Sequence, residues 1–99
     1  MPDEARQLRL SPLAVSDLED IWRYTIKRWS VEQANRYHRD LMVAMQALAA
    51  GGKTGRRVDI REGYLKYAVG RHIVYYRLSS SSLNVIRILH QSMDVDRRL

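Results

Sequence analysis

Cysteine is absent from the 99-residue chain. That excludes disulfide frameworks, thiolate zinc sites and thiol nucleophiles, and it fits a reducing cytoplasm. Long apolar runs are missing too. The most apolar stretch, residues 41–50, spans ten positions and contains Gln46, whereas a membrane-crossing helix needs ~20. Met1–Glu4 shows no basic region followed by an apolar one, so no signal peptide is read and a cytoplasmic protein is expected. Prolines number two, and no Pro/Gly/Ser-rich linker is long enough to divide the chain. Residues 1–99 therefore read as a single domain. A chain of this size buries a little over ~60% of its unfolded surface, enough for one hydrophobic core. Large dinucleotide-binding and barrel architectures are excluded by length.

Charge is unevenly signed. Seventeen basic residues face eleven acidic ones, a net +6, and fourteen of the seventeen are Arg. Guanidinium forks suit phosphates and carboxylates, so the domain should attract polyanions such as nucleic acid, the ribosome or an acidic protein.

Arg6–Leu10 alternates polar and apolar residues and predicts a short strand. Ser11-Pro12 is a helix start, and Ala14, Leu18, Ile21, Trp22, Thr25 and Trp29 recur along one helical face to about Trp29. Ser30 opens a second helix in a capping box with Gln33, its buried stripe running through Ala34, Tyr37, Leu41, Ala44, Met45 and Leu48. Gly51-Gly52 ends it. With almost nothing between them, the helices must fold back as an antiparallel hairpin.

Lys53–Arg61 reads as a polar, basic connector. The period then changes from 3.6 to 2, predicting strands over Tyr64–Val69, His72–Leu78 and Leu83–Leu89, joined by Gly70-Arg71 and a flexible Ser79–Ser82 tip. Residues 90–99 are polar and suit a turn or short helix. The fold class is α+β: an N-terminal strand, an antiparallel helical hairpin, then a three-stranded antiparallel meander, all in one small sheet.

Several motifs carry no chemistry. Gly52-Lys53-Thr54 mimics the end of a phosphate-binding loop, but position 47 is Ala and a helix, not a strand, precedes it. His38-Arg39-Asp40-Leu41 mimics a kinase catalytic loop, but the expected Asn is Met45. His38, His72 and His90 show no ligand spacing, so neither metal nor cofactor is expected. His90, at a strand end, reads as a strand cap or as a general acid–base. Trp22 and Trp29 read as core packing or as part of a partner groove. Alternation puts Tyr75 and Tyr76 on opposite sheet faces, leaving one ring outward. With Tyr64, Tyr67, Arg61, Arg71, Arg77 and Arg87 nearby, that ring could stack on RNA.

Gly70–Leu78 (GRHIVYYRL) and Val85–Asp94 (VIRILHQSMD) resemble the C-terminal half of ParE toxins of the RelE/ParE superfamily. The family-like positions there are Arg71, Tyr76, Arg77, His90, Gln91, Met93 and Asp94. Leu10–Ala14, Leu18–Trp22 and Trp29 resemble that family's first half. The resemblance implies a type II toxin–antitoxin toxin, held inactive by a ParD-type antitoxin and acting on DNA gyrase by protein–protein contact without catalysis. It implies no membrane partner and no sequence-specific nucleic-acid binding. RelE-like relatives instead cleave mRNA on the ribosome. In this chain His90, with Arg61, Arg71 and Lys66 converging from other strands, would have to supply that chemistry, and the carboxylate of Asp94 would repel the phosphodiester. An acidic antitoxin segment is expected to dock at Trp22, Arg23, Ile26 and Trp29.

Overall fold

The computed structural model describes residues 5–93 and 95–99, with only the backbone described at Asp96; Met1–Glu4, read above for a signal peptide, and the motif residue Asp94 lie outside the described residues. The order is β1 (Gln7–Leu10), α1 (Pro12–Arg28), α2 (Val31–Ala50), β2 (Arg56–Arg57), β3 (Leu65–Val69), β4 (His72–Leu78), β5 (Ser82–His90) and α3 (Val95–Arg98). No described helix is long and apolar enough to cross a membrane.

Local chemistry sets the helix ends. The Ser11 hydroxyl accepts from the Ala14 amide at 3.0 Å, with Pro12 in the first turn. Ser30 accepts from the Gln33 amide at 3.0 Å. The return half of the expected capping box is replaced, since Gln33 Oε1 lies 3.5 Å from Arg36 Nη1. Gly51 adopts φ 85°, and the Gly52 amide donates to the Ala47 carbonyl at 2.9 Å, closing the C-terminus as glycine best can.

The sheet departs from expectation in three ways. It has five strands in the order β1-β5-β4-β3-β2, because Arg56 and Arg57 inside the basic connector pair with Lys66 and Leu65. It is mixed, since β1 runs parallel to β5 (Gln7 opposite Ser82) while the other pairs are antiparallel. And β5 carries a bulge: Tyr76 faces Val85 but Tyr75 faces Arg87, leaving Ile86 out of the ladder. The freed Ile86 carbonyl accepts from the Ser11 hydroxyl at 2.7 Å. The serine tip is not loose either. Ser79 Oγ lies 2.7 Å from Ser82 Oγ, and the Ser79 amide donates to the Ser82 carbonyl at 2.9 Å.

Both helices cover one sheet face. Between them and the sheet lie Ala14, Leu18, Leu41, Met45, Leu48, Val74, Tyr76, Leu83, Val85 and Ile88. The opposite face, called outer below, has a small cluster of its own, with Val58, Tyr75 and Leu89 beneath Tyr64, Ile73, Val95 and Leu99. Tyr75 and Tyr76 do lie on opposite faces, as alternation predicts, but the expectation that the outer ring is exposed is corrected: Tyr75 is 5% exposed and Tyr76 2%. Residues 95–99 supply the cover that alternation alone did not reveal.

Past Val85, β1 no longer pairs with β5. The open edge is taken over by α1. Asp17 accepts the Ile88 amide at 2.9 Å and a bidentate pair of bonds from Arg87, both at 2.8 Å. This hydrogen bonding, more than any other cause, holds the Arg87 guanidinium pKa above its usual value.

Candidate functional site

Two places gather chemistry. The first is a groove of about 490 Å³ on the outside of the helical hairpin, lined by Val15, Leu18, Glu19, Trp22 and Arg23 from α1 and by Asn35 and His38 from α2. Trp22 Nε1 donates to Asn35 Oδ1 at 3.0 Å, which sets the angle of the indole across the two helices. Arg23 meets Asp20 at only 3.7 Å with both side chains largely exposed, so its charge is available to another carboxylate. Of the four residues expected to form a docking site, Trp22 and Arg23 line this groove. Ile26 follows one turn later, half-buried. Trp29 is 70% exposed, which corrects its reading as core. It is the C-cap of α1, at φ −129°, so the chain has already left the helical path that keeps the stripe facing inward.

The second place is a polar cluster where α2 meets the ends of β4 and β5. The bulge sets His72 opposite His90. Their rings meet edge to face, with centroids 5.4 Å apart. The Tyr37 hydroxyl lies 2.9 Å from the Val69 carbonyl and 2.7 Å from His72 Nδ1. A carbonyl only accepts, so Tyr37 donates to Val69 and His72 Nδ1–H donates to Tyr37. His90 Nδ1 accepts from the Ser92 amide at 3.1 Å, a local strand cap, and lies 2.7 Å from the Ser92 hydroxyl. Burial raises the Tyr37 phenol above its ordinary pKa. Burial, helped by the charge on His90, lowers His72 to about 4.

Sequence spacing hid this cluster, because without the bulge position 72 would face position 89. The pairing carries a pH prediction. Unfolded, His72 takes a proton near its ordinary value of 6.5, and folded it resists until about 4. The unfolded state therefore binds more protons in that window, and stability falls as pH falls through it. Since the ring is only half-buried, a loss of about 1–2 kcal/mol is expected. Urea melts at pH 7 and pH 4 should show it, and His72→Gln should remove that share.

The remaining expected residues are scattered. Arg61 stacks on Tyr64, with 5.6 Å from guanidinium to ring centroid, and Arg77 does so at 5.2 Å. Tyr64 packs on the outer face, whereas His90 touches His72 on the helix-covered face. Arg61 and His90 therefore stand on opposite sides of the sheet. Lys66 pairs with Tyr75 and shares its outer face. Arg71 sits in the β3–β4 turn, where its carbonyl accepts from the Gln91 amide at 2.9 Å. Met93 is 44% exposed, and its amide donates to the His90 carbonyl. Among the described residues no group of three His, Asp or Glu side chains is placed to hold a metal ion.

Residues 8–95 match the family described as "ParE toxin of type II toxin-antitoxin system, parDE". The chain belongs to the ParE toxin family. A ParE1 toxin of Mycobacterium tuberculosis is 47% identical over 92 residues, covering 91% of this chain and 94% of the relative. A ParE1 toxin of Caulobacter vibrioides is 41% identical, covering 92% and 95%. Among solved structures, the chromosomal ParDE system of P. aeruginosa superposes with a TM-score of 0.78 at 17% identity, covering 89% of this chain and 98% of that one. The E. coli DinJ–YafQ complex superposes at 0.57 with 15% identity, covering 89% and 94%, which shows a common fold. The ParE-like motif of the sheet is thus spread over three settings: Tyr76 in the core, Arg77 against Tyr64, and His90 at the end of β5.

Proposed function

We propose that this ParE-family chain inhibits DNA gyrase in the cytoplasm by protein–protein contact, without catalysis, and is neutralised by a ParD-type antitoxin with an acidic C-terminal segment. Membership of the ParE family supports the target. The observation that most favours a non-catalytic action is the setting of His90. In-line RNA cleavage wants a base, an acid and cations around one phosphate. Here Nδ1 of His90 is engaged by Ser92, its ring neighbour is the hard-to-protonate His72, and Arg61 and Lys66 lie across the sheet. The test is to incubate the antitoxin-free protein with gyrase, relaxed plasmid and ATP. Loss of supercoiling with accumulation of cleaved plasmid is expected. Unimpaired supercoiling, together with mRNA cut in a translating extract and protected by His90→Ala, would instead establish a ribonuclease.

The hairpin groove is the docking place this reading gives the antitoxin. Its apolar floor, the indole of Trp22 and the weakly held Arg23 suit an amphipathic acidic segment that orders on binding. Trp22→Ala should weaken toxin–antitoxin affinity by about 2 kcal/mol, or ~30-fold, as a buried aromatic anchor would. Arg23→Glu and Trp29→Ala should also weaken it. Titration calorimetry with the antitoxin tail peptide measures all three, and unchanged dissociation constants would remove the groove from the interface.

A further inference from the structure

Almost all of the net charge is concentrated in one part of the fold. Residues 53–77, the β2–β3–β4 end of the sheet, hold seven basic and two acidic residues, a balance of +5 in a chain of net +6. Cross-strand partners share a face. Arg56 is paired with Lys66, Lys66 with Tyr75 and Tyr75 with Arg87, so all four lie in one row on the outer face. Arg87 is engaged by Asp17, but Arg56 and Lys66 are exposed and form no ion pair among the described residues. Like charges directly opposite each other in a sheet are destabilising. Their juxtaposition is relieved when an anion bridges them. Beside them runs a shallow trough of about 390 Å³, lined by Arg56, Lys66, Ala68 and Ile73 among others. Arg61 and Arg77 flank Tyr64 on the same face.

We propose that this outer face is a sequence-independent binding surface for the phosphate backbone of duplex DNA. A protein partner would need apolar anchors. The sheet's apolar groups there, Val58, Tyr75 and Leu89, are buried, and the only exposed large apolar side chain of the segment is Ile60, in the loop. A single strand would need aromatic rings free to stack on bases. Tyr75 is buried, Tyr64 already packs against Arg61 and Arg77, and Tyr67 at the trough is half-buried against the helix-side core with Lys53 over its ring. What is left outward is cations spaced by the sheet, with only the small Ala68 and the half-buried Ile73 as apolar groups between them and Asp59 and Glu62 in the preceding loop as the local opposing charges. The surface lies on the side of the sheet away from the helical hairpin, and the inference stands without the gyrase reading.

The test is fluorescence anisotropy of the full-length protein, freed of antitoxin, with a labelled 30-base-pair duplex of arbitrary sequence, from about 50 to 200 mM NaCl. Arg56→Ser/Lys66→Ser should weaken binding by about tenfold or more at low salt and lower the log–log salt slope by about two. Its melting temperature should be unchanged or higher, because a like-charge pair is removed. Arg36→Ser/Arg39→Ser on α2, with the same loss of charge, should change affinity by less than about twofold. The proposal is overturned by absence of binding, by equal losses in both double variants, or by tighter binding to a single strand. Equally tight binding of polyglutamate of matched charge would overturn it in favour of an acidic protein.

Discussion

Asp17→Asn should destabilise the fold by about 3 kcal/mol, the lower end of what breaking a buried ion pair costs. Asp17 and Arg87 are 11% and 17% exposed, so little water is available to replace the lost carboxylate. The substitution keeps size and shape, and what it removes is charge. The guanidinium loses two bonds of 2.8 Å to an anion, and the Ile88 amide loses a charged acceptor at an edge that β1 does not cover. In a domain this small, each kcal/mol shifts the melting temperature by about 4–8 °C, so a drop of at least ~12 °C is expected. Thermal melts of Asp17→Asn, Arg87→Gln and the double variant check it. The double should lie well above the sum of the singles, because the cost is mostly that of an orphaned partner. A drop under about 3 °C would show the pair to be a bystander.

Gly55→Ala should cost at least as much, for a steric reason. A Cβ there would sit 2.5 Å from the Lys66 carbonyl oxygen and 2.5 Å from the Tyr76 hydroxyl. The first is backbone in the β2–β3 pair, and the second is the tip of a ring that is 2% exposed. Neither yields cheaply. Relief would also break the bond of 2.8 Å from the Gly55 amide to Tyr76. A loss of about 3–4 kcal/mol is expected, by comparison with overpacked sites that also lose a buried hydrogen bond. Tyr76→Phe, which removes the bond without the clash, should lose about 1–2 kcal/mol. Urea denaturation of the two variants separates the contributions, and equal losses would show that crowding plays no part.

The parts of the fold written locally were legible in the sequence. Ser11-Pro12, Ser30 and Gly51-Gly52 mark helix ends by side-chain and backbone chemistry that acts within a few residues. His72–Leu78 is a run rich in β-branched and aromatic residues, bounded by Gly70-Arg71 and the serines, and its limits are as expected; β3 starts one residue later than expected and β5 is longer by one residue at each end. What was hidden depends on distant partners. Arg56-Arg57 has no apolar alternation and becomes a strand only because β3 offers an edge. The parallel docking of β1 has no local sign. The bulge at Ile86 reverses the facing of every later residue in β5, and with it the meeting of His72 and His90. At the groove, the stripe through Leu18 and Trp22 was visible, but Asn35 and His38 join it only through the angle at which α2 crosses.

The parallel seam between β1 and β5 also governs when the protein can exist. Gln7 must wait for Ser82, and Asp17 for Arg87, separations of about three-quarters of the polypeptide. During synthesis, at roughly 5–20 residues per second, the N-terminal strand therefore emerges seconds before β5, its partner in the sheet. The nascent chain cannot close its sheet, or complete the surfaces that rest on it, until Ser82 and Arg87 have been made.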